Sequence, residues 1–269
     1  ATLGRRLNKK IKGQVEITPI RAGQAQAEWI EIPDAMPHRV LLYLHGGGYV
    51  LGSAETYRSL VVRLCQAAQA RALVVDYRLA PEHRFPAALE DTVDCYRWLL
   101  KQGVDPRGLA IVGDGSGGGL AMSTCMGLQV AEAQQPAALV ALSPWTDLAL
   151  TSWSIFTRAE TDPMYPFETL AVFARLYLNG RSPAEPMASP FYGDFRGLPP
   201  MLVHCGSDEI LRDDATRIAA KAERAGVDIS VEVWDKMPHL FQLDPHISEA
   251  KGALARIASF IKARTHSDG

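Results

Sequence analysis

A tight glycine turn between two apolar segments is the part of this chain best suited to do chemistry. The turn, Gly113-Asp114-Gly115-Ser116-Gly117, follows the apolar run 109–112 and leads into an apolar helical pattern. Strand, sharp turn and helix in this order are typical of a nucleophile elbow, which lifts its central side chain above a sheet. The outer glycines are centred on residue 115, which is itself glycine, and Ser116 carries the only hydroxyl. The expected nucleophile is therefore either missing or displaced by one position.

An acid and a base for such a nucleophile follow two later apolar runs. Asp208 comes just after the run 200–205, and His239 comes just after the run 229–234. Open α/β sheets place their functional side chains on loops at the carboxyl ends of strands. Elbow, Asp and His stand in the order of a triad in which the His accepts the nucleophile's proton and the Asp orients the His. Three nearby carboxylates compete with Asp208, namely Glu209, Asp213 and Asp214.

A second glycine-rich segment, His45-Gly46-Gly47-Gly48, begins where the apolar run 39–44 ends. Consecutive glycines leave backbone N–H groups unshielded, so that two of them can point at a developing oxyanion. By itself the segment is equally compatible with an ordinary glycine turn. Its place after a strand, with a glycine elbow downstream, favours an oxyanion hole.

The elements that must position these residues are indicated by apolar runs that alternate with amphipathic stretches. Strands are predicted at 15–20, 27–32, 39–44, 72–76, 109–112, 138–142, 200–205 and 229–234. Helices are predicted at 56–70, 86–100, from the elbow to about 133, and at 167–178, 213–225 and 247–263. This alternation predicts an α/β fold with a doubly wound sheet.

Between about residues 150 and 187 the alternation stops. The stretch is too long for an ordinary connection and too apolar for a linker, so we expect a cap over the sheet. Its aromatic side chains could line an apolar substrate pocket or simply pack the cap. They are Trp153, Phe156, Tyr165, Phe167, Phe173 and Tyr177.

Composition restricts the classes of partner. The 269 residues are 47% hydrophobic and 22% charged, with a formal net charge of −2, which gives no electrostatic footprint for nucleic acid. There is no apolar run long enough to span a membrane. The cysteines form no metal-binding or disulfide pattern, so we expect no metal and a reducing, cytoplasmic location. They are Cys65, Cys95, Cys125 and Cys205. A homodimer is compatible with the sequence, which carries no signal for or against it.

Six stretches together resemble the hormone-sensitive-lipase group of α/β-hydrolase esterases. They are HGGGYVLGS (45–53), DYRLAPEHRFPAALED (76–91), GDGSGGGLA (113–121), SPWTDL (143–148), GSDEILRDD (206–214) and MPHLFQ (237–242). The resemblance implies one α/β-hydrolase domain over residues 1–269, with a mostly parallel eight-stranded sheet, helices on both faces and a helical cap from about 1–14 and 150–187. It also implies a small-molecule ester substrate with a short to medium acyl chain, hydrolysed without a cofactor.

The same resemblance assigns site residues by motif. Asp208 and His239 are the implied acid and base, Gly47 and Gly48 supply two oxyanion N–H groups, and Ser116 supplies the third. The chain departs from the family at the elbow, where GDSxGG has its serine third and this chain has Gly115. Three readings follow: a disabled esterase in which a serine at position 115 was replaced, a nucleophile moved to Ser116, or a non-catalytic ligand binder. Geometry favours the first, because Gly113 and Gly117 still serve a centre at 115.

A different class of function must be weighed, because the elbow also satisfies G-x-G-x-x-G after a strand. That pattern is the dinucleotide-binding fingerprint of NAD(P) oxidoreductases. The fingerprint expects an acidic residue about 20 residues further on. The next predicted strand ends instead in Ser143-Pro144-Trp145, which disfavours the cofactor reading.

Overall fold

The computed structural model describes residues 15–162, 164 and 166–266 and has an α/β architecture. One sheet contains eight strands in the described part of the chain. They are β1 (Glu16–Ala22), β2 (Ala25–Glu31), β3 (Val40–Leu44), β4 (Arg71–Asp76), β5 (Leu109–Asp114), β6 (Ala138–Leu142), β7 (Met201–Gly206) and β8 (Ile229–Trp234). Every strand begins and ends within two residues of its predicted bounds.

The order of the strands in the sheet is β1-β2-β4-β3-β5-β6-β7-β8. Strand β2 pairs antiparallel with both β1 and β4, and all pairs from β4 to β8 are parallel. The prediction of a mostly parallel eight-stranded sheet is confirmed. Because β3, β5, β7 and β8 run in the same direction, the loops that follow them meet at one edge of the sheet.

Seven α-helices are described, and the longer ones cover both faces of the sheet. They are α1 (Ala54–Ala68), α2 (Ala87–Lys101), α3 (Ser116–Val130), α4 (Ser154–Thr157), α5 (Phe167–Leu178), α6 (Arg212–Arg224) and α7 (Ser248–Arg264). Helices α1 and α7 pack on one face, and α2, α3, α5 and α6 contribute to the core on the other. Alternate side chains of β3 enter the two cores, as the pleat of a strand buried on both faces requires.

The predicted cap segment contains α4 and α5, with loops between the helices. Tyr177 of α5 stacks on Tyr49 of the glycine-rich loop, with ring centroids 3.9 Å apart. The backbone of α5 also accepts a hydrogen bond from Phe85 at Tyr177, at 2.9 Å. Helix α5 is therefore fixed to the loop after β3. The predicted cap segment 1–14 and Tyr165 lie outside the described residues.

Nowhere in the ranges described does a helix combine the length and the apolar character needed to cross a membrane.

Two glycines of α3 offer a test of how closely this helix approaches the sheet. A Cβ at Gly117 would lie 2.0 Å from the carbonyl oxygen of Leu44, whereas at Gly127 the nearest atom is Val93 Cγ2 at 3.2 Å. We expect Gly117→Ala to lower the free energy of unfolding by about 3 kcal/mol or more, since the backbone of β3 must move. Gly127→Ala, the matched control, should change it by about 1 kcal/mol or less, because better helix propensity offsets the side-chain contact. Urea denaturation measures both, and equal small effects would contradict the packing described.

Candidate active site

Gly115 lies at the tip of the turn between β5 and α3, in a conformation that side chains rarely adopt. Its φ is +52° and its ψ is −121°. Its N–H donates to the carbonyl of Leu142 at 2.8 Å, and its carbonyl accepts from the Trp145 N–H at 2.8 Å. The turn is therefore anchored to the end of β6 and the segment after it, which holds residue 115 above the sheet.

The space around the three elbow glycines identifies the centre of the turn. A Cβ at Gly113 would lie 2.1 Å from the Gly117 carbonyl oxygen, and a Cβ at Gly117 would collide with Leu44. A Cβ at Gly115 meets nothing closer than His239 Nε2, at 3.7 Å. Only residue 115 can therefore carry a side chain, and that side chain would face His239. This agrees with the centre inferred from the glycine spacing.

His239 is buried on the loop after β8, and its other ring nitrogen faces a carboxylate. Nδ1 lies 3.8 Å from Glu209 Oε2. Burial lowers the pKa of His239, but the Glu209 carboxylate raises it by more, with help from Asp162 and Asp114, so that the pKa lies above its ordinary 6.5. A carboxylate at Nδ1 favours the tautomer in which Nε2 is the proton acceptor.

The carboxylate beside His239 belongs to Glu209 and not to Asp208, which differs from the expectation drawn from the motif. Glu209 is fully buried, and its Oε2 accepts from the Ser143 hydroxyl at 2.7 Å and the Gly206 N–H at 3.1 Å. Asp208 is a third exposed and pairs with Arg158 at 3.8 Å. Neighbouring residues on this loop point in different directions, and the buried one faces the imidazole.

The other two rival carboxylates have structural partners. Asp214 is buried and accepts from the backbone N–H groups of Thr146 and Asp147, at 2.8 and 3.0 Å. Asp213 accepts from the Ser154 N–H at 2.9 Å. Both therefore bind the start of α6 to the segment 146–154. Asp162, which the sequence did not single out, accepts from the Ile210 N–H at 2.9 Å and so supports the loop of Glu209.

The segment His45 to Gly48 forms a loop pressed between the elbow and the cap. Gly47 and Gly48 have positive φ values of +117° and +64°. A Cβ at Gly48 would lie 2.2 Å from the Phe173 ring, so the cap itself requires glycine there. The Gly46 N–H donates to Asp114 Oδ1 at 3.0 Å, which ties the loop to β5.

Aromatic side chains hold the first residue of this loop. The His45 imidazole stacks on Tyr77, with ring centroids 4.3 Å apart, and the Tyr77 hydroxyl donates to the His45 carbonyl at 2.6 Å. Burial lowers the pKa of His45 to about 4, so that it is neutral at physiological pH. The motif DYRLAPEHRFPAALED thus contributes a direct support for the loop through Tyr77.

The Ser116 hydroxyl is engaged within the same loop. Its oxygen accepts from the Tyr49 N–H at 3.3 Å. The Ser116 hydroxyl oxygen is therefore directed to the glycine-rich loop.

Asp114, immediately before the elbow centre, is completely buried. Its Oδ1 accepts from the Tyr43 hydroxyl at 2.7 Å as well as from Gly46. Burial raises the pKa of Asp114 to about 7, against the opposing effect of these hydrogen bonds and of His239. A carboxyl group in this position connects the elbow to β3 and to the glycine-rich loop.

These elements enclose a cavity of about 20 Å³. Phe173 and Leu170 of α5 form its roof, and residues of the two glycine segments and the base form its floor. Its lining residues are Gly47, Gly48, Gly115, Ser116, Trp145, Leu170, Phe173, Leu211, His239 and Leu240.

Two aromatic side chains near the site are absent from the cavity lining. Phe241 is buried beside Trp234, with ring centroids 5.5 Å apart, and so seats the loop of His239. Tyr49 is buried against Tyr177. Among the residues described, no group of three or more His, Cys, Asp and Glu side chains could hold a metal ion.

Comparisons with known proteins agree with this architecture. A family model described as the alpha/beta hydrolase fold matches residues 41–243. The crystal structure of an esterase from the bacterial hormone-sensitive lipase family superposes with a TM-score of 0.95 at 44% identity, covering 98% of this chain and 90% of that one. An acetyl-hydrolase of Streptomyces hygroscopicus is 40% identical over 91% of this chain and 82% of its own length. An esterase of Acinetobacter venetianus is 38% identical over 91% and 82%, respectively.

The fold and the elbow define an alpha/beta hydrolase. Within that fold, the chain belongs to the hormone-sensitive-lipase-like carboxylesterases, whose enzymatic class is carboxylic ester hydrolase.

The titration of His239 tests which carboxylate faces it. We expect Glu209→Gln to lower the pKa of the imidazole, because burial then acts without its main opposing charge. Asp208→Asn, the matched control one residue away, should leave that pKa nearly unchanged. NMR titration of the His239 ring protons, in each variant and in the unmodified chain, measures both pKa changes. A larger fall in Asp208→Asn than in Glu209→Gln would overturn the pairing.

Proposed function

We propose that this chain is a carboxylic ester hydrolase whose acyl-enzyme route has lost its nucleophile at residue 115 while the rest of the machinery is retained. The observation that carries the proposal is the direction of the missing side chain. A Cβ at Gly115 would lie 3.7 Å from His239 Nε2 in ordinary van der Waals contact. A serine there would bring its hydroxyl to the base, as acyl transfer by a triad requires.

The proposed roles follow from the contacts around that position. His239 is the general base and then the general acid, and Glu209, in place of Asp208, orients its imidazole and stabilises its protonated form. The backbone N–H groups of Gly47, Gly48 and Ser116 are the proposed oxyanion donors, because these residues line the same cavity as Gly115 and His239.

With a serine at position 115, the reaction would pass through an acyl-enzyme. The hydroxyl oxygen attacks the ester carbonyl carbon while Nε2 of His239 takes the proton, and the carbonyl oxygen becomes an oxyanion held by the backbone donors. The alcohol then leaves with the proton from His239. Water, activated by the same base, hydrolyses the acyl-enzyme. Loss of the nucleophile from such a unit costs on the order of 10⁶ in kcat.

The proposed substrate is a small ester with a short to medium acyl chain. The relatives named above as an esterase and an acetyl-hydrolase support this class. A cavity of about 20 Å³ holds roughly one water-sized group. Accordingly, any acyl chain requires the Phe173 side chain to move away from Gly48, and each added methylene requires a larger displacement of the cap.

In two alternative functions, glycine is the residue that the site requires at position 115. In one, Ser116 is the nucleophile, which would require its hydroxyl to leave the Tyr49 N–H and turn to His239. In the other, the scaffold binds a ligand without catalysis. A dinucleotide is a poor candidate for that ligand, because the N-terminus of α3 faces the small cavity under Phe173.

The remaining expectations about partners and location stay predictions. The four cysteines are buried thiols without disulfides, which supports a reducing, cytoplasmic compartment. The small negative net charge supports an ester, and not nucleic acid, as the partner. A possible homodimer also stays a prediction.

Restoring the hydroxyl is the direct test of the proposed function. We expect Gly115→Ser to raise kcat for p-nitrophenyl butyrate by several orders of magnitude, up to the ~10⁶ that the nucleophile contributes. The same substitution should lower the free energy of unfolding by about 1–3 kcal/mol, because a side chain at φ +52° is strained. Stopped-flow or steady-state absorbance measures the first effect, and urea denaturation the second.

The pH profile of the restored enzyme adds an independent check. A base must be unprotonated to act, and the pKa of His239 is raised, so activity should fall as the pH drops through a midpoint above 6.5. No activity in Gly115→Ser with any ester tried would contradict the proposal. Activity of the unmodified chain that Ser116→Ala abolishes would establish the shifted nucleophile instead.

A further inference from the structure

The absence of a side chain at residue 115 leaves a space directly in front of a positioned base. At the place of a Cβ on Gly115, the nearest atoms are His239 Nε2 at 3.7 Å and Gly46 Cα at 3.8 Å. The cavity that includes this space has a volume of about 20 Å³. That exceeds the roughly 10–15 Å³ that a water molecule requires, and its lining offers a ring nitrogen and backbone N–H groups as partners.

The base does not depend on residue 115 for its orientation. Its Nδ1 faces Glu209, and Glu209 is in turn held by the Ser143 hydroxyl and the Gly206 N–H. The Leu240 N–H donates to the same Ser143 hydroxyl at 3.2 Å, which fixes the loop of His239. A histidine held in this way keeps its orientation whether or not a serine stands opposite.

From this geometry we infer that the chain as written hydrolyses esters slowly in a single displacement, with a water molecule at the position of the missing hydroxyl, the ester in the space that Phe173 vacates, and His239 as the general base for the water. The inference rests on the proposed ester hydrolase function and assigns to the Gly115 chain an activity of its own. It replaces the acyl-enzyme route by one that forms no covalent bond between protein and substrate.

The atoms balance with water as the only co-reactant. The water oxygen bonds to the ester carbonyl carbon, one water proton passes to His239 Nε2, and the carbonyl π electrons move to the oxygen facing Gly47, Gly48 and Ser116. The bond from carbon to the alkoxy oxygen then breaks. The alkoxide takes the proton from His239, and the products are the carboxylic acid and the alcohol.

Glycine is the residue that permits this route. A methyl group at position 115 would occupy the place that the water needs, 3.7 Å from Nε2, and supplies no hydroxyl in return. Gly115→Ala therefore separates a route that uses the space from residual catalysis by the oxyanion donors alone, which an alanine would leave in place. General base catalysis typically contributes about 10²–10⁴ to a rate.

The test compares four proteins on one unactivated ester, methyl butyrate, with acid release followed by NMR. They are the chain as written, Gly115→Ser, Gly115→Ala and His239→Ala, purified identically so that a trace host esterase would contribute equally to all. We expect Gly115→Ser to be fastest, and the chain as written to exceed both Gly115→Ala and His239→Ala by about 10²-fold or more. The rate of the chain as written should fall in D₂O, as expected if proton transfer limits the rate. Circular dichroism and melting curves verify that each variant is folded.

A covalent probe distinguishes direct attack by water from every route through a protein nucleophile. After incubation with diethyl p-nitrophenyl phosphate, intact mass should rise for Gly115→Ser and stay unchanged for the chain as written, whose slow hydrolysis should persist. An adduct on Ser116 or His239 in the chain as written would overturn the inference. Equal rates for the chain as written and His239→Ala, with Gly115→Ser active, would also overturn it and leave the proposed function intact. An inactive Gly115→Ser protein would count against the proposed function itself.

Discussion

The close approach of the first turn of α3 to the end of β3 is the constraint on which the site depends. At Gly117 the helix backbone comes so near the carbonyl of Leu44 that no side chain fits between them. Contact at this distance makes the elbow and the glycine-rich loop one rigid unit, since neither can shift without the other. The Asp114 carboxylate, which accepts from the Gly46 N–H, adds a hydrogen bond across the same junction. The position of residue 115 relative to Gly47 and Gly48 is therefore set by backbone packing.

Aromatic side chains around the glycine-rich loop support it. The Tyr77 hydroxyl donates a hydrogen bond to the His45 carbonyl, and the Tyr49 ring stacks on Tyr177 of helix α5. Phe173, from the same helix, lies so close to Gly48 that the cap closes the cavity. One element, α5, thus contacts both the glycine-rich loop and the cavity. A motion of this helix that admits a longer acyl chain would also loosen the stacking on Tyr49.

The glycine at position 115 leaves the contacts around His239 in place. Glu209 remains bound by Ser143 and Gly206, and His239 remains beside it with a raised pKa. These contacts join β6, β7 and β8 and involve no atom of residue 115, so replacing that residue leaves them in place. A glycine at φ +52° also relieves the strain that a side chain would impose on the turn. Glycine at position 115 therefore favours stability, whereas acyl-enzyme chemistry would require a side chain there.

Much of the fold was determined by local pattern. Apolar runs of strand length, separated by helical periodicity, predicted the central strands of the sheet, because strands buried on both faces must be apolar throughout. Glycine spacing also located the elbow centre at residue 115, since Gly113 and Gly117 are required by close backbone contacts that any elbow of this kind makes. The order of the elements also placed His239 on the loop after the predicted strand 229–234, where the structure has it.

Only the tertiary structure decided which carboxylate faces His239 and that helix α5 closes the cavity. Asp208 and Glu209 are adjacent in sequence, and their side chains diverge because of the loop's path between Ser143 and Met237, which long-range hydrogen bonds determine. The packing of Phe241 on Trp234 is likewise a contact that only the folded chain shows. The sequence thus determined which elements form and where the turn is centred, since these depend on local pattern and backbone sterics. The direction of each side chain in the loops depends on partners far along the chain, and only the folded molecule brings those partners together.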